Sequence, residues 1–362
     1  MNSADSFSND YPAARAKFIT AASDQGGAIE TVSHPERGPD GGELATDIAW
    51  FGERSAPAVL VLISGTHGVE GFCGSGAQVD WLRRGGADSL PKGVAVMMVH
   101  AVNPYGFAWL RRVTHENVDL NRNWSDFTNP APANPGYVEL AEAICPQDWT
   151  DASQATGMQA LGGYVAAHGA IAMQQAVSGG QYTHPKGIFF GGDGPTWSRK
   201  TQAAIFQTYL QGAARVGIID YHTGLGQWGY GEQIVTDPKG GPGFDRARQW
   251  YGASVTSPSS GTSTSADIVG DGLSAAPHLL PLAEVTGMAL EVGTKDTMSV
   301  LQALRADAWL HAHGDPMNAQ GRRIKAEIRD AFYGDADDWK GMVAGQSLLA
   351  IKQALAALTK GN

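Results

Sequence analysis

Residues 57–72 read PAVLVLISGTHGVEGF. The run AVLVLIS (58–64) is almost wholly apolar, carries no helical spacing and is closed by turn residues on both sides. A short run of that kind suits a strand covered on both faces, as in a parallel sheet. Immediately after it come a histidine and a glutamate three residues apart, with glycines at 65, 68 and 71 to let the backbone turn. A buried strand that ends in a glycine-rich turn with polar side chains is how open α/β sheets present a site.

Working outward, further strands are expected at 46–51, 94–103, 216–222 and 288–294. Helices are expected at 11–23, 75–83, 157–177 (with a Gly-Gly pair inside), 203–214, 297–309, 322–332 and 346–358. Strands alternating with helices predict an α/β fold. The expectation is a single domain over 1–362 with a twisted, mixed, mostly parallel sheet of about eight strands between helices. Its core would span 45–310, followed by a helical C-terminal segment, 311–362. The Ser/Thr-rich stretch SVTSPSSGTSTSAD (254–267) reads as a mobile surface loop.

Of the 362 residues 43% are hydrophobic and 17% charged, enough apolar material for a large core and too little charge for long disordered tracts. The net charge is −10 and no basic run is present, so no nucleic-acid partner is expected. An anionic substrate would have to be gripped by a few local arginines. Two cysteines, Cys73 and Cys145, make no disulfide framework. The N-terminus is polar without an apolar signal region, and no apolar run of about 20 residues is evident. The expectation is a cytoplasmic protein without a membrane partner; the sequence leaves the oligomeric state open.

Four elements carry candidate chemistry. His67 and Glu70 on one turn can converge on an ion, and nitrogen plus oxygen donors suit zinc. The segment NPYGFAWLRRVTHENVDLNRNW (103–124) packs Arg111, Arg112, Asp119, Asn121 and Arg122 between buried strands. Arginine forks grip carboxylates, with asparagine as an added donor. His222 ends the apolar strand IIDYH, and Glu291 sits in the apolar strand MALEVGT, where an unpartnered carboxylate would be costly. Two of the pieces are ordinary alone, since H-x-x-E is common and a lone strand-end histidine is usually a loop residue; the dense Arg/Asn/Asp cluster and the buried Glu291 call for partners.

In this order, H-x-x-E, D-L-N-R-N, D-x-H and a strand-borne glutamate, the pieces resemble the zinc carboxypeptidase superfamily, with its succinylglutamate desuccinylase and aspartoacylase branch. NP-x-GF and NRNW look like the carboxypeptidases; DLNR, D-Y-H and L-E-V-G look like the desuccinylases. The resemblance runs from about residue 58 to about residue 295. It implies one zinc ion held by His67, Glu70 and His222, with Asp119 orienting His67 from behind. It implies a substrate carboxylate on Asn121 and Arg122, and a carbonyl-polarising arginine at 111 or 112, of which Arg111 is favoured. Glu291 would be the general base on an activated water. The implied reaction is amide hydrolysis in a small carboxylate-bearing peptide or N-acyl amino acid. The carboxypeptidases' mobile tyrosine has no counterpart here, since none lies between Tyr251 and Glu291; Tyr230 or Tyr251 would have to substitute. The aspartoacylase C-terminal β-domain is not expected, because the tail reads helical.

Other classes leave weaker traces. Gly224–Gly229 match G-x-G-x-x-G, the dinucleotide fingerprint, but that motif should open a helix, and a strand-like piece and Pro238 follow instead. No serine has the flanking glycines of a nucleophile elbow. A non-catalytic metal-binding relative would be expected to lack Glu291.

Overall fold

The run 58–63 lies in the middle of the sheet, as its composition predicts. The computed structural model describes residues 2–360; of the expected 1–362, residues 1, 361 and 362 lie outside it. Eight strands form one mixed sheet: β1 (Ala28–Arg37), β2 (Glu43–Phe51), β3 (Ala58–Ile63), β4 (Val94–His100), β5 (Arg215–Thr223), β6 (Gly231–Ile234), β7 (Val255–Thr256) and β8 (Glu284–Val292). Their spatial order is β1-β2-β4-β3-β5-β8-β6-β7. The central β4, β3, β5 and β8 run parallel, while β1, β2 and β6 join antiparallel. Four parallel C-terminal ends therefore open on one edge.

Among the described residues twelve α-helices accompany the sheet: α1 (Tyr11–Asp24), α2 (Gly71–Arg83), α3 (Pro104–Ala108), α4 (Pro135–Ile144), α5 (Asp151–His168), α6 (Ala170–Ser178), α7 (Trp197–Leu210), α8 (Pro242–Tyr251), α9 (Gly272–Leu279), α10 (Thr297–His313), α11 (Ala319–Phe332) and α12 (Asp337–Thr359). Successive strand residues point to opposite faces, so each central strand serves two cores. Leu60, Leu62, Met98 and Tyr221 pack with α1, α2, α8 and α12. Val59, Val61, Met97 and Ile218 pack with α7 and α9 on the other side. A third cluster, from α4, α5, α6, α10 and α11, joins Val69 in the turn after β3 and forms a wall beside the site.

Several expectations change. The core reaches well outside 45–310, since Phe18 of α1 and Trp339, Ile351 and Leu358 of α12 are fully buried in it. By length and composition α12 could cross a membrane, where no apolar run of that length was expected, and here it is packed against the sheet. The expected helix at 157–177 is two helices. It runs straight through Gly162 and Gly163 and breaks at Gly169, whose φ of 89° ends α5. The Ser/Thr-rich stretch is tied down: Glu232 of β6 accepts from Thr256 Oγ1 at 2.6 Å and from the Thr264 amide at 3.2 Å.

One contact sets the site turn. The Gly68 amide donates to the Arg112 carbonyl and the Val69 amide to that of Arg111, at 3.1 and 2.8 Å, so the turn lies flat against the segment around Gly106. A methyl group on Gly68 would sit 2.0 Å from the Gly106 carbonyl carbon. Gly68→Ala should therefore cost about 1–3 kcal/mol, the usual range for overpacking. Gly162→Ala, on an open helix surface with nothing within 4 Å, should gain about 0.4–1 kcal/mol. Urea denaturation of both variants checks this; equal midpoints would contradict it.

Candidate metal centre

The site is built at the C-terminal ends of β3, β5 and β8. After β3 the chain turns through Gly65, in the left-handed region at φ 66°, and His67 leads a short 3-10 turn, Gly68–Glu70, into α2. His67 and Glu70 are thereby on one turn. His222 stands at the end of β5, directly opposite Glu291 on β8 in the strand register. One donor atom each from His67, Glu70 and His222 lies within 4.8 Å of the others, all three side chains being buried.

The ring orientations decide what this cluster can hold. His67 Nδ1 is 3.0 Å from Glu70 Oε1, His222 Nδ1 is 3.0 Å from Glu70 Oε2, and the two Nδ1 atoms are 3.1 Å apart. The opposite nitrogens face other carboxylates: His67 Nε2 is 3.1 Å from Asp119 Oδ1 and His222 Nε2 is 3.0 Å from Asp220 Oδ2. With Nε2–H donated to those carboxylates, both Nδ1 atoms carry lone pairs and aim them at the same point as the Glu70 oxygens. Acceptors converging on one point with no proton between them suit a cation. Two imidazoles and a carboxylate, each imidazole backed by an acid, are a zinc-type donor set.

Asp119 had been expected behind His67. Asp220, behind His222, is its unforeseen counterpart. It also accepts from Thr66 Oγ1, at 2.9 and 3.0 Å. The signal was present in D-Y-H, since residues two apart on a strand share a face.

Charge is concentrated here. Burial would raise the acids Glu70 and Asp119, but the surrounding positive groups, His67 and Arg112 among them, hold both below the ordinary carboxylate range. Burial would lower His222, but Asp220 and Glu70 raise it well above the ordinary imidazole value. Glu291 goes the other way. Burial first, and then the negative charge of Glu70, push it up to about 7. Its Oε1 accepts the Leu225 amide at 3.0 Å, and Oε2 has no protein partner among the described residues.

The two adjacent arginines part company, and the choice of Arg111 is corrected. Arg111 Nε donates to the buried Asp307 at 3.2 Å and Nη2 to Asn117 at 2.7 Å, on the side away from the metal donors. It does not line the cavity. Lys325 also reaches Asp307, and together the two cations outweigh burial and hold that carboxyl down at about 2. Arg112 faces the site. Its Nη1 donates to Glu70 at 2.8 Å and its Nε to Asp119 at 3.0 Å. Leu110, in the left-handed region at φ 51°, turns the chain just before the pair.

Arg112, Asn121, Arg122 and Glu291 line one cavity of about 570 Å³ with His67 and His222. Asn121 Oδ1 accepts the Gly272 amide at 3.2 Å, and no bond engages its Nδ2 among the described residues. Arg122 is buried. Nη1 donates to the Asn121 carbonyl at 2.9 Å and Nη2 to that of Ser178, while the enclosed Nε has no partner among the described residues. Tyr230 and Tyr251 are not brought in. Tyr230 is 52% exposed, Tyr251 is buried in the core, and no tyrosine is among the lining residues. The glycines 224–229 lead into β6 rather than a helix, against a dinucleotide site.

The fold can now be placed. Carboxypeptidase A from Helicoverpa armigera matches at 12% identity and a TM-score of 0.52, over 98% of this chain and 74% of that one. Bovine thrombin-activatable fibrinolysis inhibitor, solved with a tick carboxypeptidase inhibitor, matches at 10% and 0.52 over 98% of both chains. The protein thus has the zinc carboxypeptidase-like α/β fold. Residues 7–346 match the family described as "Protein of unknown function (DUF2817)", and the chain belongs to that family. No curated protein matches the sequence.

The imidazole backing gives a direct test. Asp220→Asn should keep the fold and weaken zinc binding about 10- to 100-fold, the usual effect of losing such a carboxylate. Competition with a chelator of known affinity measures it; unchanged affinity would show that Asp220 does not support the site.

Proposed function

We propose that this protein is a zinc-dependent hydrolase cleaving an amide bond in a small peptide or N-acyl amino acid that carries a free carboxylate. The observation that carries the reading is that His67 and His222, clustered with Glu70, line one cavity together with a buried glutamate of raised pKa and two arginines. Zinc held there would supply Lewis acidity, polarising the scissile carbonyl and making water easier to deprotonate.

The remaining work falls to the chain. Glu291 has one oxygen fixed by the Leu225 amide and the other without a protein partner, in a site that raises its proton affinity. Such a carboxylate can take a proton from the attacking water and pass it to the leaving amine. Arg112 is locked by Glu70 and Asp119 through Nε and Nη1, and Nη2 has no protein partner among the described residues. A guanidinium fixed in advance can stabilise the charge that develops on the carbonyl oxygen. Asn121 Nδ2 and the Arg122 guanidinium, both on residues that line the cavity, are the donors for the substrate carboxylate. With no tyrosine in the cavity, the reading gives no step to one.

Kinetics test these roles. Glu291→Gln should retain zinc and lose turnover. In the wild type, kcat/KM should fall as pH drops and Glu291 takes up a proton, at or below about 7, since a bound cation moves that value down. Arg122→Ala should chiefly raise KM and Arg112→Ala chiefly lower kcat. Arg111→Ala should show its main effect on stability, because it strips a buried carboxylate of a partner. A panel of C-terminal dipeptides and N-acyl amino acids, followed by mass spectrometry for free amino acid, supplies the assay. Full activity in Glu291→Gln would refute the mechanism.

A further inference from the structure

The cavity wall is largely apolar, with its polar donors gathered at the metal residues, Arg112, Asn121 and Arg122. Around Asn121 it is walled by the loop before α9, whose Gly272 amide bonds that side chain and whose Asp271 caps α9 by accepting the Ser274 amide at 2.8 Å. The Arg112 and Arg122 guanidiniums each lie 5.3 Å from the centre of the Phe189 ring, and the lining also takes in Val300, Leu301 and Leu304 of α10, Phe332 of α11 and Val165 of α5. None of the side chains that α5, α6 and α10 turn to the cavity is charged.

The apolar surface continues to the mouth. Val165 and Met298 both line the cavity and are 39% and 46% exposed. Apolar side chains left in water at the rim of an apolar pocket mark where an apolar group enters. The roof is latched: Gln174 Nε2 of α6 donates to the Thr264 carbonyl at 2.9 Å and Gln175 Nε2 to that of Asp267 at 3.1 Å, joining α6 to the Ser/Thr-rich loop. That enclosure favours a small molecule over the end of a folded protein.

We propose that the apolar wall of the cavity takes a medium-length aliphatic acyl chain, so that the substrate is an N-acyl amino acid with its carboxylate at Asn121 and Arg122. This rests on the hydrolase reading for its orientation. A substrate whose carboxylate is held at Asn121 and Arg122, and whose scissile carbonyl is at the metal donors and Arg112, must lay its acyl part against that apolar wall. A charged or strongly hydrated acyl group would lose its water there and gain no partner. Each buried methylene, by contrast, should strengthen binding about fourfold.

The test separates binding from turnover. Zinc-loaded Glu291→Gln protein is titrated calorimetrically with N-acetyl-, N-butanoyl-, N-hexanoyl- and N-octanoylglycine, and the same compounds are offered to the wild type for cleavage. Affinity should rise about fourfold per methylene. Leu301→Glu and, at the rim, Met298→Glu should each cut the octanoyl-to-acetyl affinity ratio at least tenfold, with matching circular dichroism and melting curves as the control for folding. Rising affinity without turnover would uphold the acyl pocket and refute the hydrolase reading. Turnover with flat affinity across the series would refute the pocket and leave the hydrolase standing. Flat affinity without turnover would overturn both.

Discussion

The structure turns on lone pairs that have nowhere else to go. His67 and His222 each give one ring nitrogen to a buried aspartate, and what is left of each ring points at the other and at Glu70. Without a metal, only a proton held between the rings, which the raised proton affinity of His222 allows, keeps the two Nδ1 atoms from facing each other as acceptors at 3.1 Å. The carboxylates of Glu70, Asp119, Asp220 and Glu291 also outnumber the guanidiniums of Arg112 and Arg122 around it. Metal binding would relieve both conflicts, and so should add to the stability of the fold as mass action requires. The same crowding of negative charge helps to raise Glu291 towards neutrality, which links the metal donors to the base.

The fold exists to hold that conflict in place. Parallel strands bring His67, His222 and Glu291 to one edge, with His222 and Glu291 in register on neighbouring strands. The turn carrying His67 and Glu70 is pinned through its amides to the carbonyls of the two arginines. Arg111 then anchors that segment from behind through Asp307 and Lys325, while Arg112 works on the near side. Two residues adjacent in sequence thus divide into a support and a site group.

The buried parallel strands could be read from sequence because each is a short apolar run bounded by turns, and the metal donors because they follow those runs at fixed places. β1 was missed: its residues are mostly exposed, it contains Pro35, and it pairs with β2 alone at the edge, so burial leaves no periodic mark on it. β7 was missed because it is only 2 residues long, and β6, of 4 residues, showed only as a strand-like piece after Gly229. The choice between Arg111 and Arg112 depends on the left-handed turn at Leu110, which no glycine announces. The role of the Ser/Thr-rich loop depends on Glu232, far from it in sequence. The cavity was invisible for a like reason: its apolar wall comes from α5, α6 and α10, whose residues look like ordinary core until the helices meet.

The central claim is that His67, Glu70 and His222 form one zinc site through both Nδ1 atoms and a carboxylate. X-ray absorption at the zinc edge of protein loaded with one equivalent tests it most directly. The account predicts two imidazole nitrogens at roughly 2.0–2.1 Å with oxygen as the remaining near neighbours, and loss of one imidazole in His222→Ala. A sulfur neighbour, or an all-oxygen shell unaffected by that substitution, would contradict it.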